Sequence, residues 1–393
     1  MKNNRTFLEK LLDGAEVEWK PLDEVANIAN NARKPVKSSL RVSGNIPYYG
    51  ANNIQDYVEG YTHDGEFVLI AEDGSASLEN YSIQWAVGKF WANNHVHVVN
   101  GKEGLNNRFL YHYLTSMNFI PFLAGKERAK LTKAKLQQIP IPIPPLSVQT
   151  EIVKILDALT ALTSELTSEL TLRRKQYEYY LDNLLSKEEL GKIGFEWKCL
   201  KDICDYVDFR GKTPKKTESG IFLVTAKNIK KGFIDYNASK EFVSESDYIE
   251  IMRRGLPRIG DVLITTEAPC GNVAQIDKED IALAQRVIKY RSSNENILDN
   301  TFLKFMLLSK EFQVNLIKLS TGGTVKGIKG STLHKMKIKI PPIDEQKRIV
   351  SILEKFEILT NSITEGLPLA IEQSQKRYEY YRELLLSFNG SNQ

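Results

Sequence analysis

Two stretches of this 393-residue chain concentrate cations. Residues 301–340 carry eight lysines against one glutamate, a local +7 in a chain whose whole balance is only +4. Lys318, Lys326, Lys329, Lys335, Lys337 and Lys339 fall there, interleaved with Thr321, Thr324 and Ser331. Residues 121–143 carry Lys126, Arg128, Lys130, Lys133 and Lys135 against Glu127. Cations mixed with hydroxyls suit the phosphate oxygens of a nucleic acid, although a solvated face beside a helix start has the same composition. Polar loops precede both strips. Asn93-Asn94-His95 aligns with Ala284-Gln285-Arg286, and Asn52-Asn53 with Lys227-Asn228. Asn and Gln make paired hydrogen bonds to adenine and Arg does so to guanine. Tyr48 and Tyr49 can stack or touch sugars. Taken singly, each of these residues has turn chemistry as its stronger reading, asparagine being a turn former in its own right. His95, a candidate DNA contact, and His97 are as readily ordinary strand residues, and no metal-ligand spacing accompanies them. Glu72 and Glu267 align too. A carboxylate repels phosphate, so each either accepts from cytosine or is structural, and the structural role is favoured.

The chain lacks the residue patterns of catalysis. It has no GxxxxGK[ST] phosphate loop, and Gly322 to Gly327 has the wrong spacing for one. It has no GxGxxG, no Asn-Pro-Pro-Tyr run, no nucleophile elbow and no paired histidine motif. Methylating a base needs a cofactor pocket and an extruded base, which a partner would have to supply. Cys199, Cys204 and Cys270 form neither a disulfide framework nor a zinc cluster and fit a reducing cytoplasm. The opening MKNNRTFLEKLLDG has charges inside its apolar run, unlike a secretory leader. No apolar run reaches membrane-spanning length, so no membrane partner is expected. A composition of 42% hydrophobic and 26% charged residues is that of a globular protein able to build real cores.

What must position the polar loops is a repeat. IPPLSVQTEIVKIL at 143–156 returns as IPPIDEQKRIVSIL at 340–353. KQYEYYLDNLLS at 175–186 returns as KRYEYYRELLLS at 376–387, and VEWKPL at 17–22 as FEWKCL at 195–200. Weaker echoes lie between: GEFVLIAE (65–72) with GDVLITTE (260–267), and NIPYYGANNI (45–54) with GIFLVTAKNI (220–229). The chain is therefore two copies of one unit, each a variable globular part followed by a well-matched helical part. The globular parts, with short β-type runs between Gly, Asn and Asp, read as mixed α/β. The expected boundaries are 1–143 and 191–340 for the globular parts, and 144–190 and 341–393 for the helical ones.

The first helical part opens on Pro144-Pro145, with Ser147 expected as N-cap; the second opens on Pro341-Pro342, with Asp344 in that role. Ile152, Ile155, Leu156, Leu159, Leu162, Leu166 and Leu170 make an apolar stripe at helical spacing. Some 39 helical residues would form a rod about 58 Å long. Its partner is the second copy, through Ile349, Ile352, Leu353, Phe356 and Leu359, with a kink or restart expected at Gly366 and Pro368. The C-terminal YYRELLLSF looks as if it should run on into the N-terminal segment, implying neighbouring termini and a roughly two-fold arrangement of antiparallel helices. Thr163-Ser164-Glu165-Leu166 is followed at once by Thr167-Ser168-Glu169-Leu170. Each four-residue unit adds about 6 Å and about 40° beyond a full turn. That rotation is close to one DNA base pair; the translation is nearer two.

The IPP entries, the QYEYY and RYEYY segments and the Leu-Thr-Ser-Glu-Leu tandem resemble the specificity subunits of type I restriction-modification systems. The tandem resembles the Thr-Ala-Glu-Leu repeats of the type IC subgroup, and 359–368 resembles that subgroup as well. The likeness covers the whole chain, sharply in the helical parts and loosely in the globular ones. It implies two target-recognition domains separated by two antiparallel coiled-coil regions with an internal pseudo-two-fold. It implies a non-catalytic subunit that binds a bipartite, asymmetric duplex DNA target. The repeat number would set the gap, and two copies imply the shorter gap of the subgroup. Two methyltransferase subunits and, in the full complex, two restriction subunits would be the partners. S-adenosylmethionine would sit on the former, ATP and magnesium on the latter, and no cofactor on this chain, in a bacterial or archaeal cytoplasm. Two other readings stand beside it: a coiled-coil scaffold whose end domains bind proteins, and an enzyme with an unrecognised site.

Overall fold

The computed structural model describes residues 6–125, 129–209, 215–362 and 364–388. The chain divides into two compact units, Met1–Thr167 with Ala370–Gln393, and Ser168–Leu369. Both are mixed α/β.

In the first unit, six strands lie in the order Ala26–Ile28, Val96–Gly101, His63–Ala71, Ile83–Ala92, Ser43–Tyr49, Ile54–Val58. All pair antiparallel except Ser43–Tyr49, which runs parallel to Ile83–Ala92 through Tyr48 opposite Trp91. The central run Val68-Leu69-Ile70-Ala71 is buried on both faces, which is why it is apolar throughout rather than alternating. The second unit has two four-stranded sheets. Cys204–Asp208, Val287–Ser292, Val262–Thr266 and Cys270–Gln275 make one, all antiparallel. Lys216–Thr217, Phe242–Val243, Ile221–Val224 and Ile281–Leu283 make the other.

The repeated segments find each other inside each unit. Glu18–Pro21 of the VEWKPL segment pairs with Pro140–Ile143, just before the first double proline. Glu196–Cys199 of FEWKCL pairs with Lys337–Ile340, just before the second. Each ribbon delivers the chain into a long helix. The first is Leu146–Leu184, 39 residues that begin in the first unit and end in the second. The second path is broken into Ile343–Asn361 and Gly366–Leu386. Gly366 has φ +82°, and a Cβ there would lie 2.5 Å from the Ile358 carbonyl oxygen, so the restart demands glycine.

The helices pack antiparallel within each unit. In the first, Val148, Ile152 and Leu156 share a core with Leu385, Leu386 and Phe388, while Thr163 Oγ1 lies 2.8 Å from Ser374 Oγ. In the second, Tyr180 stacks on Phe356 with ring centres 5.3 Å apart, and Leu181 and Leu185 join Ile349 and Leu353. Of the apolar stripe only Ile152 and Leu156 are fully buried; Leu166 and Leu170 are half-buried and Leu162 is 38% exposed.

The helix entries differ from expectation. The helices start at Leu146 and Ile343, directly after the prolines, so Ser147 and Asp344 lie inside the first turn and cap nothing. Two fully buried glutamines do the anchoring. Gln149 donates to the carbonyls of Gly104 (2.9 Å) and Pro144 (2.8 Å) and accepts from the Asn106 N–H (2.8 Å). Gln346 donates to the carbonyls of Ile297 and Pro341 (both 2.8 Å) and accepts from the Asp299 N–H (2.9 Å). Asn106 and Asp299 are themselves the N-caps of Asn107–Ser116 and Asn300–Leu308. One amide thus locks each long helix to a helix of the globular part. Gln149→Leu or Gln346→Leu would leave three backbone groups without this partner, and for the buried one, the Pro144 or Pro341 carbonyl, a loss of about 1–3 kcal/mol sets the scale. Thermal unfolding of either variant should show a clearly lowered midpoint; an unchanged one would mean the amide contributes nothing.

Candidate nucleic-acid interface

The cationic strip of the second unit folds back onto the end of a core strand. The Thr266 N–H donates to the Arg286 carbonyl (2.8 Å), and the Ile328 N–H to the Thr266 carbonyl (2.9 Å). Thr321 and Gly327 exchange backbone hydrogen bonds of 2.8 and 2.9 Å, closing residues 321–327 into a small hairpin that also bridges Glu267. Gly322 makes the turn, with φ +106° and no room for a Cβ against the Val325 carbonyl. Arg286 stands at φ +69°, exposed, its Nε 3.3 Å from Glu267. Two adjoining clefts share Gln285 and Arg286. One, of about 430 Å³, adds Glu267, Thr321 and Lys329. The other, of about 300 Å³, adds Lys216, Thr225 and Lys227.

The first unit repeats this lattice with other side chains. The Glu72 N–H donates to the His95 carbonyl (2.8 Å), and the Leu131 N–H to the Glu72 carbonyl (2.8 Å). Ala124 and Lys130 exchange backbone hydrogen bonds, and Lys130 bridges Asp73. His95 Nδ1 lies 2.5 Å from Asp73 Oδ1. The matching backbone bonds make Glu72 the counterpart of Thr266, Asp73 of Glu267, and His95 of Arg286. Aligning Glu72 with Glu267 was therefore off by one residue. A shift of one in a strand reverses the side chain's direction, and Glu72 indeed turns inward. It takes hydrogen bonds from Arg33 (2.7 Å) and Lys130 (2.9 Å). Burial pushes its carboxyl upward, but the bonds and charges of Arg33 and Lys130, with His97 nearby, outweigh burial and hold it below the usual carboxylate range. Its role is structural.

A family model for the type I restriction modification DNA specificity domain matches residues 15–172 and again 192–373. The chain belongs to this family. It is 62% identical to a putative type I restriction enzyme specificity subunit of Haemophilus influenzae over 99% of this chain and all of that protein. It is 34% identical to the type I restriction enzyme EcoR124I/EcoR124II specificity subunit of Escherichia coli, covering 98% of this chain and 97% of that one. In fold it is similar to the crystal structure of a type I restriction-modification S subunit from M. genitalium, with a TM-score of 0.58, 15% identity, and coverage of 98% and 96%. A chain from a structural study of type I restriction-modification complex assembly has a TM-score of 0.51 at 16% identity, with 95% and 98% covered.

Within this specificity subunit the proposed reading residues fall into two groups. In the first unit Asn94, His95 and Lys130 gather at the exposed end of the lattice, and exposed Lys133 opens the short helix Lys133–Gln137. Lys126 and Arg128 lie outside the described residues. In the second unit Lys227, Gln285, Arg286, Thr321 and Lys329 line the two clefts, while Thr324 and Lys326 are exposed on the hairpin. All of the remainder but Asn53 are corrections. Asn228 is fully buried and fully used: it accepts from the Thr225 N–H and hydroxyl and donates to the carbonyls of Asp235 and Ser239. Asn93 is buried and accepts the His95 N–H at 2.8 Å, shaping the loop instead of reading from it. Tyr48 is buried, its hydroxyl accepting the Val36 N–H. Asn52 is exposed, but its side chain is tied to the Gly74 carbonyl, the Ala76 N–H and the Ser82 hydroxyl. Asn53 sits in the same exposed turn, where its carbonyl accepts the Gly50 N–H. Two strip lysines are internal as well. Lys339 is 2% exposed and donates to Glu311 and the Leu185 carbonyl, and Lys304 is buried on Glu357. His97 is buried between Asn30 and the Leu131 carbonyl, and that burial pushes its pKa down. Sequence reasoning missed Arg33 and Asp73; the signal for Asp73 was its place directly after an aligned acid. Among the described residues no His, Cys, Asp and Glu cluster could hold a metal ion, and no helix is long and apolar enough to cross a membrane.

Proposed function

We propose that this specificity subunit recognises a bipartite, asymmetric site on double-stranded DNA. One half-site is read around Asp73, Asn94, His95 and Lys130 within residues 1–143, and the other around Glu267, Gln285 and Arg286 within 191–340. The helical regions 144–190 and 341–393 set the gap between them. One observation carries the reading: a single backbone lattice recurs in both units with different polar side chains at its tip. A constant frame with variable, exposed groups is what reading two different short sequences requires. A coiled-coil scaffold for proteins would have no need of it.

The chemistry on the DNA is then the partners' work. Two methyltransferase subunits would bring S-adenosylmethionine, and two restriction subunits would bring ATP and magnesium. The subunit itself is non-catalytic and works in the cytoplasm. The repeated helix entries, pinned alike by Gln149 and Gln346, support two equivalent attachments for one kind of partner. The test is the adenine methylation pattern of the host genome with and without this gene. A gapped, asymmetric methylated motif should vanish on deletion. A motif that persists unchanged would overturn the assignment.

A further inference from the structure

The reading surface of the first unit continues into a segment that the sequence motifs did not mark. Arg33, bound to Glu72 and to the Val96 carbonyl (both 2.7 Å), is the last residue of the lattice. From it, residues 34–42 run outward as a braced arm. The Trp91 indole N–H donates to the Lys34 carbonyl (2.7 Å), and the Lys34 N–H to the Ala92 carbonyl (3.0 Å). The Val36 N–H donates to the Tyr48 hydroxyl (3.0 Å), and Arg41 Nε to the Val36 carbonyl (3.1 Å). Arg41 also lies over the Tyr48 ring, 4.1 Å from its centre, and 3.4 Å from Asp56. These bonds spend the arm's backbone groups and Arg41 on holding its shape. They leave Lys34 and Lys37 exposed, with no ion pair among the described residues. Leu40 and Val42, 70% and 61% exposed, project from the same segment. A cleft of about 720 Å³ lies along the arm, lined also by Tyr48, Glu59 and Trp91, and the Glu59 N–H donates to the Val42 carbonyl (2.9 Å).

Exposed apolar side chains next to unpaired lysines on a rigid segment are matched by a surface that is anionic and partly apolar. The sugar-phosphate backbone of a duplex is such a surface, and it already passes the adjoining His95 site on the reading above. We propose that residues 34–42 grip the DNA backbone flanking the first half-site, with Lys34 and Lys37 each meeting a phosphate and Leu40 and Val42 lying against deoxyribose. The inference rests on the DNA-binding function and extends it to a surface that carries affinity without reading bases.

The test compares the full chain with its Lys34→Gln/Lys37→Gln variant on a mixed-sequence duplex across a salt series. Each phosphate contact contributes about 0.9 to the slope of log affinity against log salt. The variant should therefore lose about 2 from that slope, equally on any sequence. Lys34→Arg/Lys37→Arg should keep the slope. Trp91→Phe, which frees the arm but keeps both charges, should weaken binding. Wild-type slope in the Lys→Gln variant overturns the arm and leaves the functional reading standing. A wild-type chain whose affinity for duplex ignores salt overturns both. Intact DNA binding with lost methyltransferase capture would show that the arm serves a protein instead, and the proposal would fall.

Discussion

Inserting a third Thr-Ser-Glu-Leu unit after Leu170 should lengthen the gap in the methylated motif and leave both half-site sequences unchanged. The tandem lies inside the uninterrupted helix Leu146–Leu184, so an added unit is absorbed as one more turn. The helix belongs to the first unit up to Thr167 and to the second from Ser168, which places the division within the tandem itself. Four more residues shift everything beyond them by about 6 Å along the helix axis and about 40° around it. Each DNA base pair contributes about 3.4 Å and about 35°. Rotation calls for one extra base pair and translation for nearly two, and the rotational demand should dominate. A recognition surface turned by one base pair faces the wrong groove edge, whereas a few ångströms of axial mismatch can be taken up by helix bending. The second helical path has the means to follow, because it is already interrupted between Asn361 and Gly366. Methylome sequencing of a strain carrying the insertion checks the gap directly. A functional variant with the original gap would mean that the helix is not the ruler.

The parts of the structure that could be read from sequence were those specified by repetition and periodicity. The repeated EWK segments pair with the stretches that lead into each double proline, and the apolar stripe lies on a 39-residue helix. Gln149 and Gln346 were legible in principle, being the only polar residue identical in both copies of the 14-residue repeat. Their role was not, since it depends on carbonyls some 45 residues away in sequence. The reading residues were harder for a different reason. Asparagine serves equally as base reader and as turn builder, and Asn93, Asn228 and Asn52 all proved to be turn builders. Lysine in a strand has a similar ambiguity. In Lys337-Ile338-Lys339 one lysine is exposed and the other buried, and only the position of Glu311 and the Leu185 carbonyl explains it. Local charge counts pointed to these loops but overstated their free cations. A one-residue slip in aligning two dissimilar strands then exchanged an inward glutamate for an outward aspartate.

Arg286→Ala should relax sequence preference at one position of the half-site read by residues 191–340 while the other half-site keeps its stringency. Arg286 combines the required features: an exposed guanidinium, a backbone at φ +69° that lifts it from the strand start, and a place on the rim of both clefts. Its contact to Glu267, at 3.3 Å with both side chains about half exposed, is an ion pair that costs little to exchange for a base edge. That carboxylate would hold the guanidinium in position before DNA arrives. A paired contact from arginine to guanine carries about 1–3 kcal/mol of discrimination, so single-base variants of the target should converge in affinity by that amount. Lys329→Gln is the matched contrast. It removes a charge from the same cleft and should weaken all targets alike, lowering the salt slope by about 1. Competition binding with a panel of single-base variants separates the two. If Arg286→Ala weakens every target equally, Arg286 is a phosphate anchor, and base reading in this unit passes to Gln285.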